Sequence, residues 1–152
     1  MGVTGSGKST VGQALAARTG VPFADADDFH SAANVDKMRA GTPLTDEDRG
    51  PWLLSIGEWL TRHDDGAVVT CSALKRVYRD TLRAAAPHIT FLHLDGDRET
   101  VRQRVAGRTR HFMPESLVDS QFAALEPLGA DERGVVIPFT LPVDEIVDRF
   151  LE

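Results

Sequence analysis

The fold is decided by the stretch Gly2-Val3-Thr4-Gly5-Ser6-Gly7-Lys8-Ser9-Thr10, which fits G-x-x-x-x-G-K-[ST] at every required position. Its glycines let the backbone curl so that successive N–H groups point inward and form a cradle for phosphate oxygens. The positive end of the following helix lies beneath that cradle. The stretch therefore predicts a phosphate-binding loop for a nucleoside triphosphate. A Gly/Ser-rich turn without a ligand is disfavoured, because a helix-like run follows directly.

Two side chains complete the predicted loop. The Lys8 ammonium is expected to bridge the outer phosphates and to follow the charge as the terminal group transfers, which makes Lys8 a predicted catalytic residue. The Ser9 hydroxyl suits a Mg²⁺ ligand position. We predict that the nucleotide is held by Gly2, Gly5, Ser6, Gly7, Lys8, Ser9 and Thr10.

The strand that should precede the loop has almost no sequence, since only Met1 stands before Gly2. One explanation is that the protein begins several apolar residues earlier. The other is that the chain folds with a gap where a central strand belongs. The first is favoured, because an absent central strand would orphan backbone hydrogen bonds on both neighbours.

Composition narrows the class of protein. The 152 residues suit one domain, spanning 1–152, with 41% hydrophobic and 26% charged residues. A formal net charge of -6 argues against nucleic acid as a partner. The single cysteine, Cys71, lies in an apolar run and is expected to be a buried thiol. No apolar run approaches the ~20 residues that span a bilayer, so we expect no membrane partner and a cytoplasmic location.

Strand-like and helix-like patterns alternate along the chain. Apolar runs predict strands at 21–24, 67–71, 89–94 and 135–137, and helical stripes lie between and after them. This alternation predicts an α/β fold of three layers, a parallel sheet flanked by helices, of the kind that carries phosphate-binding loops. The segment 107–114 lacks apolar periodicity and is predicted to be a mobile lid.

Carboxylates follow the first predicted strand. Asp25 and Asp27 alternate, so both point to one side of an extended segment next to the phosphate loop. One of the two, with Asp25 as the metal candidate, is expected to orient water on Mg²⁺, and the other to accept a hydroxyl proton and align the attacking oxygen. A solvated acidic turn is the alternative interpretation.

Cations and polar groups supply the remaining candidates. His30 either binds a polyol or carboxylate substrate or is a structural hydrogen-bonding group. Lys75 and Arg79 are four residues apart at a helix start and are predicted to clamp an anion, the alternative being surface charges. Arg104 and Arg108 have the same spacing and lead into the lid, where they either reach the nucleotide or form a solvated basic helix.

Longer segments carry a family resemblance. The segments that match, besides the phosphate loop, are Asp25-Ala26-Asp27-Asp28-Phe29-His30, Gly41-Thr42-Pro43-Leu44-Thr45-Asp46-Glu47-Asp48-Arg49-Gly50-Pro51-Trp52-Leu53 and Cys71-Ser72-Ala73-Leu74-Lys75-Arg76-Val77-Tyr78-Arg79-Asp80. They resemble the gluconokinases, within the group of phosphate-loop kinases that includes shikimate kinases. Ala26 and Ser31 depart from that family's usual Gly and Pro.

The resemblance implies ATP-dependent phosphorylation of D-gluconate to 6-phosphogluconate with Mg²⁺, and a homodimer. It implies that Asp27 is the catalytic base or the group that orients the hydroxyl. It also implies that gluconate is bound by Asp27, His30, Lys75, Arg79 and Gln121, and that Arg104 and Arg108 are lid arginines. Two other hypotheses are a kinase for another small acid such as shikimate, and a non-catalytic nucleotide-binding protein.

Overall fold

A computed structural model describes residues 1–107 and 115–152. The helices are α1 Lys8–Thr19, α2 Ala32–Arg39, α3 Asp46–Arg62, α4 Arg76–Ala85, α5 Arg98–Ala106, α6 Glu115–Ala124 and α7 Val143–Leu151. The strands are β1 Phe23–Asp25, β2 Val68–Thr70, β3 Phe91–Asp95 and β4 Gly134–Pro138. A 3-10 helix, Ala26–Phe29, follows β1. The predicted alternation of strands and helices is confirmed. The predicted lid lies largely outside the described residues, at 108–114.

The strands pair in parallel, as predicted, but in two separate pairs. β1 pairs with β2 in the register Phe23↔Val68, and β3 pairs with β4 in the register Phe91↔Gly134. Among the described residues no strand joins the pairs to one another. Met1 and Gly2 lie between them and hydrogen-bond to both sides. The described strands thus form two parallel pairs, with Met1 and Gly2 between them.

Two apolar clusters lie on opposite faces of the strands. Leu94 belongs to a cluster that includes α1, α5 and α7 residues, and Phe91 to a cluster that includes α3 and α4 residues. Because side chains alternate along a strand, residues 91 and 94 face opposite sides. The helices therefore cover both faces of the strands, which confirms the three-layer α/β arrangement.

Local chemistry fixes the ends of the helices nearest the site. Gly20 ends α1 in the left-handed conformation with φ 72°, as predicted, and its N–H donates to the Ala16 carbonyl. Thr45 and Asp48 form a reciprocal capping box at the start of α3. Every helix in the described parts of the chain is too short or too polar to cross a membrane.

Candidate active site

The phosphate loop adopts the curled backbone that its glycines permit. Gly5 has φ 77° and Gly7 has φ 91°, values that residues with a Cβ rarely adopt. Gly7 is also the N-cap of α1, and its carbonyl accepts from the N–H of Val11 at 3.0 Å. The first N–H groups of α1 therefore open toward the loop, as an anion cradle requires.

Lys8 is the first residue of α1, and its side chain returns over the loop. Its Nζ donates to the carbonyl oxygens of Gly2 and Val3, at 3.0 Å each. The ammonium is therefore held at the loop itself. Two neutral carbonyls are weaker partners than phosphate oxygens, so a bound triphosphate would compete well for this cation.

A cavity of about 380 Å³ opens in front of the loop. The structure brings many of the predicted site residues together in its wall, where the loop faces the end of β1. The lining residues are Thr4, Gly5, Gly7, Lys8, Ser9, Thr10, Asp25, Ala26, Asp27, Trp52, Thr70, Cys71, Ser72 and Gln121. Nucleotide-binding and carboxylate candidates thus share one cavity.

Asp25 and Asp27 both line the cavity, but the backbone conformation that places them there differs from the predicted one. The prediction of an extended segment carrying Asp25 and Asp27 is wrong, because a 3-10 helix begins at Ala26. Asp25 caps this helix, and its Oδ1 accepts from the N–H of Asp27 at 2.9 Å. Asx residues readily form such caps, which explains why the strand ends here.

Asp27 has the electrostatic setting of a proton acceptor. Burial raises its pKa above the ordinary value of 3.8, and the neighbouring Asp25 raises it further. His30 and Lys8 act in the opposite direction. A carboxylate whose pKa lies above its ordinary value holds a proton more readily than a fully solvated one.

Trp52 lines the cavity and contacts both Ala26 and His30. Its Nε1 donates to the carbonyl of Ala26 at 2.7 Å, and its ring stacks on His30 at 4.3 Å between centroids. Burial lowers the pKa of His30, and the charge of Arg49 lowers it further. The apolar spacing of α3 had indicated only a core role for Trp52, and its hydrogen bond to a distant carbonyl had no sequence signal.

Lys75 is not among the residues that line the cavity. Its Nζ is 3.6 Å from Asp46 Oδ1 and 5.5 Å from the centre of the Tyr78 ring. Arg49 approaches the same groups, since its Nη1 is 3.1 Å from the Tyr78 hydroxyl and 3.9 Å from Asp46 Oδ1. The cation that accompanies Lys75 in space is therefore Arg49, which the sequence interpretation missed.

The predicted role of Arg79 as a substrate ligand must be corrected. Its side chain is 0% exposed and lies against Glu132, also 0% exposed, with Nε and Oε2 2.6 Å apart. The remaining guanidinium N–H groups donate to Glu132 and to three carbonyls, those of Ala73, Leu74 and Pro127. All five donors of the guanidinium are engaged within the protein. The anion that binds Arg79 is therefore the Glu132 carboxylate of the same chain.

Arg104 and Gln121 connect the phosphate loop to later parts of the chain. Arg104 donates from Nη1 to the Gly5 carbonyl at 3.2 Å and lies over the Phe139 ring at 4.4 Å. Gln121 Oε1 accepts from the N–H of Thr4 at 2.6 Å. Both predicted residues therefore adjoin the loop, whereas Arg108 lies outside the described residues.

A phosphate loop, an aspartate across the cavity and parallel strands covered by helices define a phosphate-loop kinase of small molecules. The shikimate kinase family profile matches residues 4–133. The chain is 48% identical over 139 residues to the thermosensitive gluconokinase of Escherichia coli K12, covering 90% of this chain and 74% of the relative.

Solved structures give the same result. A sugar kinase from Janibacter sp. HTCC2649, unliganded, is 49% identical with a TM-score of 0.90, covering 99% of this chain and 89% of that one. A gluconokinase from Sinorhizobium meliloti 1021 is 47% identical with a TM-score of 0.87, covering 99% and 86%. The chain belongs to the shikimate kinase family and, within it, to the gluconokinases.

Proposed function

We propose that the protein transfers the terminal phosphoryl group of ATP to D-gluconate and releases 6-phospho-D-gluconate and ADP. The single observation that carries this proposal is that Lys8 and Asp27 line one cavity. The similarity to gluconokinases at 47–48% identity supports gluconate as the acceptor. The match to the shikimate kinase family profile favours shikimate as the second candidate acceptor.

The loop side of the cavity would hold the nucleotide. Backbone N–H groups at the start of α1 and the Lys8 ammonium would contact the phosphates, with Ser6, Ser9 and Thr10 alongside. Ser9 and Asp25, both in the cavity wall, would hold Mg²⁺, because hydroxyl and carboxylate oxygens are ligands that this ion prefers. When bound, the metal would neutralise charge on the transferring group.

Asp27 would act on the acceptor hydroxyl. The hydroxyl oxygen forms the new bond to the terminal phosphorus, the bond from that phosphorus to ADP breaks, and Asp27 takes the hydroxyl proton. The raised pKa of Asp27 makes it a better acceptor than a solvated aspartate. Arg104, which contacts the loop at Gly5, would help to neutralise the phosphoryl group.

The sugar acid would lie between Asp27 and the cations around Tyr78. His30 and Gln121 would bind hydroxyl groups, and Lys75 with Arg49 would attract the carboxylate. Asp46 neutralises part of that positive charge, since it is 3.6 Å from Lys75 and 3.9 Å from Arg49. We expect Arg49→Met to raise the KM for gluconate several-fold with a smaller effect on kcat, because the binding contact is lost in ground and transition state alike.

ADP release with gluconate, with shikimate and without acceptor tests the proposal, and Lys8→Met serves as the matched inactive control. We expect turnover with gluconate, and a loss of at least about 100-fold in Lys8→Met. Turnover with shikimate alone would favour the second acceptor. ATP binding without any turnover would favour a non-catalytic protein. The homodimer stays a prediction, which sedimentation at two concentrations tests.

A further inference from the structure

A buried asparagine faces the imidazole of His30. Asn34 lies in α2 and is 6% exposed. Its backbone N–H donates to the hydroxyl of Ser31, the N-cap of α2, at 3.1 Å. Its side-chain Nδ2 is 3.1 Å from the Asp48 carbonyl oxygen and 3.5 Å from His30 Nδ1. One amide group therefore contacts both α3 and the histidine.

The Asp48 carbonyl decides which end of the Asn34 amide faces it. A carbonyl oxygen only accepts, so the group 3.1 Å from it is the NH2 group and not the amide oxygen. The NH2 group has two hydrogens, and the second is available to His30 Nδ1. Two N–H donors that face one another would repel, so Nδ1 is the ring nitrogen without a proton. Neutral His30 therefore carries its proton on Nε2.

Three elements fix the position of the imidazole. The 3-10 helix precedes it, and the His30 N–H donates to the Asp27 carbonyl at 3.5 Å. From α3, the Trp52 ring stacks on the imidazole with 4.3 Å between centroids and 11° between planes. The third element is α2, with Asn34. Asp27 and Trp52 line the active-site cavity, whereas His30 lies behind them. Within residues 1–107 and 115–152 nothing hydrogen-bonds to Nε2, so this N–H is left for a ligand.

The groups around the imidazole favour its neutral form. Burial lowers the pKa of His30, the Asp27 carboxylate acts in the opposite direction, and the charge of Arg49 lowers the pKa further. The Asp48 carboxylate is bound by α2, since both of its oxygens are 2.9 Å from Lys37 Nζ. A protonated ring would also place an Nδ1 hydrogen against the amide NH2 group. His30 is therefore a neutral hydrogen-bond donor at neutral pH.

We propose that Asn34 is a positioning residue that holds His30 in its Nε2–H tautomer, so that His30 donates one hydrogen bond to an oxygen of the acceptor substrate. Hydroxyl and carboxylate oxygens both accept such a bond. Asn34 acts through His30 and does not itself contact the substrate. The tautomer depends only on the contacts of Asn34, whereas the bond to the acceptor rests on the proposed function.

Nitrogen-15 spectra of the full chain distinguish protonated from unprotonated ring nitrogens and test the tautomer directly. In the parent protein at neutral pH we expect His30 to show a protonated Nε2 and an unprotonated Nδ1. Asn34→Asp replaces the NH2 donor with a carboxylate, which should draw the proton to Nδ1 and raise the pKa of His30. Lys37→Met is the matched control, because it breaks another contact between α2 and α3 and leaves the amide in place. We expect it to keep the parent tautomer.

Gluconate kinetics across pH give the second readout. In Asn34→Asp the protonated ring keeps an N–H at Nε2, whereas the neutral ring carries its proton on Nδ1. As pH rises through the pKa of His30 in this variant, we expect the KM for gluconate to rise about 2–10-fold, because one neutral hydrogen bond is lost. The parent and Lys37→Met keep the Nε2–H in both states and should show no such rise. A merely structural loss would raise the KM at every pH.

A parent spectrum with the proton on Nδ1 overturns the proposal, and this measurement needs no variant to fold. An Asn34→Asp variant that keeps the parent tautomer also overturns it, as does a KM in that variant that stays level across pH. If the parent protein turns over no gluconate, the proposed reaction fails instead, and the spectra still decide whether Asn34 sets the tautomer of His30.

Discussion

Replacement of Arg79 by Met should unfold the protein more easily and should leave substrate affinity nearly unchanged in the molecules that remain folded. The substitution leaves the Glu132 carboxylate buried without its cation, and it leaves the carbonyls of Ala73, Leu74 and Pro127 without these donors. Loss of one partner of a buried ion pair costs about 3–5 kcal/mol. For a domain of this size the melting temperature should fall by about 6–20 °C.

The double variant Arg79→Met/Glu132→Leu distinguishes the cost of the unpaired Glu132 charge from the cost of the carbonyls that lose their donors. It removes both charges, so we expect it to recover much of the lost stability, with three carbonyls still lacking donors. Lys75→Met is the matched surface control, since Lys75 is 38% exposed in its pairing with Asp46. We expect its melting temperature to stay within about 2 °C of the parent and its KM for gluconate to rise.

The Arg79–Glu132 ion pair should also make the stability of the protein depend on pH in the acid range. Burial alone would raise the pKa of Glu132, but the hydrogen bonds from Arg79 and from the Gly129 N–H, together with the charges of Arg79 and Arg76, lower the pKa below the ordinary 4.5. A lowered folded-state pKa gives stability that is fully present above 4.5 and lost as pH falls through the folded value. The double variant should lack this acid-dependent loss.

Thermal melts followed by circular dichroism, together with gluconate kinetics, test this reasoning. If Arg79→Met melts with the parent protein while its KM for gluconate rises, Arg79 is a substrate ligand and the structural interpretation is wrong.

Three further outcomes are expected. Asp27→Asn should lower kcat by at least about 100-fold and keep ATP binding, and an unchanged kcat in this variant would remove Asp27 from the mechanism. The parent protein should lose activity as pH falls through the pKa of Asp27, which lies above 3.8, because the base is then protonated. Gly12→Ala should destabilise by about 1–3 kcal/mol, because a Cβ there would lie 2.6 Å from a Thr70 methyl. Gly50→Ala is the matched control, since Gly50 lies in α3 and a Cβ there would meet no neighbouring atom, so we expect equal or higher stability. If Gly12→Ala and Gly50→Ala unfold at the same temperature, the predicted clash at Gly12 is wrong. Trp52→Phe should raise the KM for gluconate several-fold, since it loses the hydrogen bond to Ala26, and unchanged kinetics would refute that role.

The sequence by itself determined the parts of this protein that depend on neighbouring residues. The phosphate loop needs glycines within a few positions, and the caps at Gly20 and Thr45 involve residues no more than four apart. The alternation of apolar runs and helical stripes likewise predicted the parallel α/β arrangement. Asp27 was placed near the loop for the same reason, because strand ends in such folds meet at one edge.

Only the tertiary structure decided which charges meet. Arg79 and Glu132 are 53 residues apart in sequence, so helical spacing made Lys75 its apparent partner. Trp52 binds a carbonyl 26 residues away, and Arg49 meets Tyr78 across 29 residues. Burial of a cation depends on whether the fold supplies a carboxylate and enough acceptors at that point. These partner groups come from segments that are distant in sequence and pack together in the fold, so no local sequence pattern predicts them.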